Sequence, residues 1–273
     1  MTTIRSLGYR TDIQFLTFDG ELHERDDYWV IRTPANPTFY WGNFLLFKRP
    51  PQLGDIERWR GYFEDKIQAN YDAKVEHLAF GWDAPGGECG AIQDFVNAGF
   101  EPSRNVILSA TEVFQPPKWN SDVEILPLQT ESDWEALLEM EVLCFRGKQS
   151  VGGYKKFTSR QHERYRAMIA AGYGGWYGAF FDGTLVASLG LFNWDGLARF
   201  QSVCTHPDFR RRGLCSTLVY QAARHGVDDM GAEKLVMAAD DAYHAAVIYE
   251  SIGFRPTERQ NGVHWWAKEN GLP

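Results

Sequence analysis

The sequence predicts an α+β protein of two domains, residues 1–120 and 121–273, each a mixed, mostly antiparallel sheet flanked by helices. Three observations carry that expectation. The chain has 273 residues, 44% hydrophobic and 15% aromatic; one ordinary domain takes roughly 100–200 residues, and so many rings need a large interior. Its second half runs strand, two helices, three strands, then helix, strand, helix, strand, which is not the strict alternation of a parallel α/β fold. The ending Asn97-Ala98-Gly99-Phe100 returns at Gly253-Phe254 with similar elements before it, as in a tandem duplication.

The first half reads as strands over 27–32 and 38–48, a helix over 54–70, a strand over 75–82, a helix over 90–97 and a strand over 105–113. Pro116-Pro117 then interrupts the chain, since neither a ladder nor a helix continues through adjacent prolines. This segment sets the domain boundary. A strand over 123–128 leads to Thr130 and Asp133, a cap signal for a helix with Trp134, Leu137, Leu138, Val142 and Phe145 on one side. A second helix over 159–171 stops at Gly172, and three strand runs follow, joined by Asp182-Gly183 and Asp195-Gly196, strong hairpin signals. The third run, 197–205, enters Pro207 and a basic turn. A helix to Gly226, a strand over 234–239, a helix over 242–252 capped by Gly253 and a strand over 262–268 complete the chain.

A net charge of −8, from 28 basic and 36 acidic residues, argues against nucleic acid and anionic membrane as partners and suits a cationic small molecule. Cys89, Cys144, Cys204 and Cys215 show no disulfide or zinc spacing, and Cys204 reads as a core filler. The first residues lack an apolar signal run and no window reaches a membrane span, so a cytoplasmic, reduced setting is expected.

The segment Val203-Cys204-Thr205-His206-Pro207-Asp208-Phe209-Arg210-Arg211-Arg212-Gly213-Leu214-Cys215-Ser216 places a strand end, a turn and a helix start in sequence. Such a junction offers unpaired amides and the positive end of a helix dipole. Gly213 leaves room for a phosphate, and three arginines add charge. These features fit a pyrophosphate. Arg210, Gly213 and Cys215, with Pro207 before them, resemble the signature of the GNAT acetyltransferase superfamily, although Cys215 replaces the usual Gly or Ala. Ala245, Tyr249 and Gly253-Phe254 resemble the family's second pattern, with Ala242 where Asn is common.

The resemblance implies an acetyl-CoA-dependent N-acetyltransferase. Main-chain groups of Val203 and Thr205 would pair with the pantetheine arm, and the backbone from Arg210 through Arg211, Arg212, Gly213, Leu214 and Cys215 to Ser216 would surround the pyrophosphate. Tyr249 would protonate the departing thiolate after direct attack by an amine. Glu139, Glu141, Asp240 and His264 are candidate bases, beside a water chain. The first half is expected to be a degenerate copy without a cofactor site: its turn carries Pro50, Pro51, Asp55 and Glu57, and Phe95 stands where Tyr249 does. The expected acceptor is a small-molecule amine; a protein amine, or a non-catalytic acyl-CoA-binding role, is the alternative. Oligomeric state is not legible.

Overall fold

The computed structural model describes residues 3–72, 75–145, 150–240 and 245–267. Its first elements are α1 (Leu7–Leu16), β1 (Glu21–Glu24), β2 (Tyr28–Arg32), β3 (Phe44–Phe47), α2 (Asp55–Lys66), β4 (His77–Trp82), α3 (Ile92–Asn97) and β5 (Glu101–Ala110). There follow β6 (Glu124–Pro127), α4 (Glu131–Cys144), α5 (Val151–Ala170), β7 (Gly174–Phe181), β8 (Thr184–Trp194) and β9 (Leu197–Thr205). The last are α6 (Leu214–Asp228), β10 (Lys234–Asp240), α7 (Ala245–Glu250) and β11 (Arg255–Trp266). The chain divides into two compact units, Met1–Ile107 with Glu258–Pro273, and Leu108–Thr257.

In the first unit β1, β2, β3 and β4 are followed by β11, which pairs antiparallel with β4 from Gly262↔Gly81 to Trp266↔His77. Strand side chains alternate between faces. Trp29, Ile31, Phe44 and Leu46 pack with Tyr9, Ile13 and Leu16 of α1, while Val30, Leu45, Phe47 and Phe80 pack with Trp59, Phe63 and Phe95 from the helices α2 and α3. Both faces are covered, so these strands read as continuous apolar runs. The Phe47 and Trp59 rings stack at 3.6 Å.

The division differs from the expected boundary at Asn120 in two ways. The last strand belongs to the first unit, where Val263 is part of the core. The segment before Asn120 belongs to the second, where the Asn120 amide donates to Thr217 Oγ1 at 2.9 Å. Element bounds also differ. The helix α1, capped by Ser6, and β1 were not expected. The strand expected over 38–48 shrinks to β3 because Asn43 ties down the preceding loop, accepting from the Thr33 amide and donating to the Asn36 and Phe39 carbonyls. The helix α5 begins at Val151, not at 159, because Ser150 caps it through the Gly153 amide.

Two local features close the first unit's strand end. The parallel pairing of β3 with β4 runs to Phe47↔Trp82, the last residue of each strand, and the Asp83 amide extends it by donating to the Phe47 carbonyl at 2.8 Å. In the turn before α2, Asp55 accepts from the Gln52 amide at 2.8 Å, from Arg49 Nη1 at 2.7 Å and from Arg58. Burial alone would raise the Asp55 carboxyl, but the Arg49 hydrogen bond, the Gln52 amide and the charges of Arg49 and Arg58 outweigh it and hold the group below the usual range.

Two outcomes test this arrangement. Deleting residues 258–273 removes the strand beside β4, so the shortened chain is expected to lose the cooperative unfolding of the first unit, read by limited proteolysis and near-ultraviolet circular dichroism. The depressed Asp55 carboxyl stabilises the fold above an unfolded pKa of about 3.9, and that contribution is lost as pH falls through the lower folded value. Asp55→Asn is therefore expected to cost about 1–3 kcal/mol in urea unfolding at neutral pH, with the gap to the parent closing below about pH 4.

Candidate cofactor and catalytic site

In the second unit, β6, β7, β8 and β9 form an antiparallel run, and β10 adds in parallel. The hairpins turn at Asp182-Gly183 and Asp195-Gly196, all four residues having positive φ, as two-residue turns of the expected type require. The sequence did not announce the next feature. The register between β8 and β9 shifts between Ser188 and Gly190, opposite Ser202, whose φ is +46°. This is a β-bulge, which bends the strand that carries it.

Beyond it the sheet opens. The pairing of β9 with β10 covers only Leu197–Arg199 against Lys234–Val236, and residues 200–205 continue without a β10 partner among the described residues. Val203 and Thr205 lie on this outer stretch, half-buried. The Thr205 carbonyl accepts from Arg210 Nε at 3.2 Å and from the Cys144 thiol at 3.4 Å. Cys204, expected to fill core, is half-buried on the same stretch.

The chain then turns at His206, whose Nδ1 accepts from the Asp208 amide at 3.3 Å, through one 3-10 turn at Pro207–Phe209. Arg211 has φ +61° and Gly213 φ +81°. A Cβ on Gly213 would also stand 2.8 Å from the Lys118 carbonyl, so glycine is required there twice over. The first bond of α6 is the Thr217 amide to the Gly213 carbonyl at 3.0 Å. The amides from Arg211 to Ser216 have no acceptor among the described residues. They form the positive end of a 15-residue helix.

The three arginines do not converge on one spot, as the sequence suggested. Arg210 reaches back to Thr205, and Arg212 donates to the Asp208 carbonyl at 3.2 Å and lies over the Phe209 ring at 4.8 Å. Arg211 is exposed, and its carbonyl accepts from Lys118. Lys118 and Asn120 are supports that sequence reasoning missed. Asn120 donates to the Arg212 carbonyl at 2.9 Å, and Ser216 Oγ donates to the Lys118 carbonyl at 2.9 Å. Leu214 is buried, and burial pushes the Cys215 thiol up to about 12.

Tyr249 lies on α7, 5% exposed, with its ring 6.4 Å from Phe254. Ala242, noted for the missing Asn, lies outside the described residues. The candidate bases separate. Glu139 and Asp240 are exposed; Glu141 is buried and pairs with His162 at 2.7 Å; His264 stands on β11 in the first unit, 5.2 Å from the Tyr40 ring.

The first unit repeats the turn without its opening. Gly54 precedes α2 with φ 81° and ψ 1°, and Gly213 precedes α6 with φ 81° and ψ 2°. In the first copy the Asp55 carboxylate accepts the Gln52 amide and pairs with Arg49, and the adjacent parallel strands stay paired to their ends. Phe95 is fully buried on α3, where the second copy has Tyr249.

Comparison with known proteins agrees with this geometry. Residues 134–254 match the acetyltransferase (GNAT) family. No curated protein sequence matches the chain. A functionally unknown conserved protein from Staphylococcus epidermidis superposes with a TM-score of 0.68 at 16% identity, over 90% of this chain and 94% of its own. A GCN5-related N-acetyltransferase from Kribbella flavida does so with 0.64 at 15% identity, over 99% and 98%. A tandem GNAT protein from the clavulanic acid biosynthesis pathway gives 0.57 at 12% identity, over 99% and 93%. At such identities the likeness is one of fold, and it extends over nearly the whole chain. The opened parallel pair and the glycine turn both lie within residues 134–254, the stretch that matches the acetyltransferase (GNAT) family.

Proposed function

We propose that the chain moves an acetyl group from acetyl-CoA to the amine of a small-molecule acceptor, with Tyr249 as general acid. The observation that carries this reading is the outer part of β9, which leaves β10 after Arg199 and ends at a turn of unengaged amides. An extended strand without a partner suits an added amide-bearing arm, the mode called β-augmentation. The amides of Arg211, Arg212, Gly213, Leu214, Cys215 and Ser216 suit a pyrophosphate, and the exposed Arg211 adds a full charge. The residues present therefore fit the cosubstrate.

Acetyl-CoA supplies the activated thioester. The acceptor amine attacks its carbonyl carbon, the carbon–sulfur bond breaks, and the Tyr249 hydroxyl gives its proton to the leaving sulfur. The proton lost by the amine passes to water, because Glu141 is already engaged with His162. The net charge of −8 favours a cationic acceptor in the surrounding field. The first unit serves as a structural half: its turn holds its own carboxylate and its strands are closed. No described helix is long and apolar enough to cross a membrane, and the proposed location is the cytoplasm.

Calorimetric titration with acetyl-CoA tests the reading. The parent should bind, and an Arg211→Glu/Gly213→Glu double variant that keeps its circular dichroism spectrum should not. A folded parent that releases no binding heat overturns the proposal. Tyr249→Phe should retain cosubstrate affinity and lower kcat by about 10²–10⁴-fold in an amine-acetylation assay; an unchanged kcat removes Tyr249 from the chemistry.

A further inference from the structure

The second unit carries a further depression, at the end of its sheet away from the proposed transfer site. It has a volume of about 360 Å³ and is lined by Tyr173, Tyr177, Asn193, His225, Asp229 and Met230, beside Gly172 and Gly174. In the ladder Asn193 pairs with Ala198 and Ala187 with Thr205, so the depression and Thr205 lie towards opposite ends of β9, roughly 20 Å apart along an extended strand. Trp176 packs on Tyr165 of α5 at 4.8 Å, while its neighbour Tyr177 packs on His225 of α6 at 5.5 Å, so the two helices cover opposite faces of β7. Both end at this corner: Gly172 and Tyr173 follow α5, and Asp229 and Met230 follow α6.

The chemistry of the corner is one-sided. A helix C-terminus carries partial negative charge and favours a cation; here the ends of two, α5 of 20 residues and α6 of 15, meet the Asp229 carboxylate. Arg224 is held by Asp228 at 2.6 Å, and among the described residues the ion-pair partner of Asp229 is His225, through Nδ1 at 2.7 Å. In the neutral ring that contact puts the proton on Nδ1 and leaves Nε2 an acceptor. Asn193 Nδ2 donates to the Met230 carbonyl at 2.6 Å, which leaves its buried Oδ1 with no hydrogen-bond partner. The Tyr173 and Tyr177 rings add faces that attract positive charge. A carboxylate oxygen, an imidazole nitrogen, an amide oxygen and two tyrosine rings thus meet, and what they lack is a positively charged donor.

We propose that this corner binds the primary ammonium group of a small aliphatic amine, at a site separate from the acetyl transfer. An alkylammonium offers three N–H donors and no acceptor, which matches the groups gathered here. A quaternary ammonium brings the charge without the donors, and an alcohol brings a donor without the charge. The volume lies at the lower end of the range for small-molecule sites, about 300–1,000 Å³. The helix α6 serves both ends by charge alone: its N-terminus faces the proposed pyrophosphate and its C-terminus the ammonium, each end meeting the opposite sign. The site does not rest on the acetyl-CoA reading, since none of its residues belongs to the proposed cosubstrate site.

Nuclear magnetic resonance titration of the full chain with propylammonium chloride, at about pH 7.5 and constant ionic strength, tests the site; the amine is charged there, as lysine is. The backbone amides of Gly172, Gly174 and Met230 and the Asn193 side-chain amide should shift and saturate, with weaker binding of propyltrimethylammonium and none of propan-1-ol. Asp229→Asn, at a side chain 65% exposed and so open to change without loss of the fold, should weaken binding about fivefold. Tyr173→Leu, which removes a ring at the rim, should weaken it about threefold. Shifts that do not saturate, that spread over the acidic surface, that propan-1-ol reproduces, or that centre on residues 203–205 overturn the site, as does unchanged affinity in either variant. The titration contains no acetyl-CoA, so failure of that reading leaves its outcome intact.

Discussion

The second unit depends on where two parallel strands stop pairing. After Arg199 and Val236 the groups that β9 and β10 would exchange are left to other partners. A buried backbone group without a partner costs about 1–3 kcal/mol, so such an opening survives only where something else satisfies it. The bulge at Ser202 supplies part of the answer by bending β9 and exposing Ser202 itself, and residues 203–205 beyond it remain half-buried. The remaining parts of the site follow from that geometry. The turn to α6 starts where the free strand ends, and Tyr249 follows β10 on the next helix. A sheet zipped to its ends would offer the same residues with no slot between them.

The first unit is such a sheet. Its parallel pair reaches Phe47 and Trp82, and its turn keeps a glycine of nearly the same φ and ψ as Gly213. The difference lies in what meets the amides. In one turn they are unengaged; in the other the Asp55 carboxylate takes the Gln52 amide and two arginines. A carboxylate in a helix's first turn is favoured by the same partial charges that would favour a phosphate. Asp55 thus caps its own helix on a turn whose glycine keeps nearly the φ and ψ of Gly213, while Pro50 and Pro51 remove donors that an external anion would use.

Features held within a few residues were legible in the sequence. The Asp-Gly hairpins, the Thr130–Asp133 capping box and the glycine turn before α6 depend on local backbone chemistry, and each appears where its residues stand. What was not legible crosses long separations. Lys118 supports a carbonyl 93 positions away, and Cys144 donates to one 61 positions away. Pro116-Pro117 is a valid sign of interrupted structure, but it does not say which core the following residues join. The last strand looked like the natural end of the second domain because it follows it in the chain; its partner β4 lies far earlier. The bulge at Ser202 has no glycine or asparagine to mark it, since the shift of register imposes the positive φ.

Arg210 shows why a matched signature does not fix a side chain's task. By position it belongs to an anion-binding turn, yet its Nε is spent on the Thr205 carbonyl and its Nη2 faces the Cys144 sulfur. A guanidinium offers five donors in a rigid fork, so one residue can hold the end of β9 and approach α4 at once. Lysine at this position would keep the charge and lose that geometry. The phosphate-binding role proposed for this turn then falls mainly to backbone amides, which no substitution other than proline removes, and the arginine braces the end of β9 beside those amides.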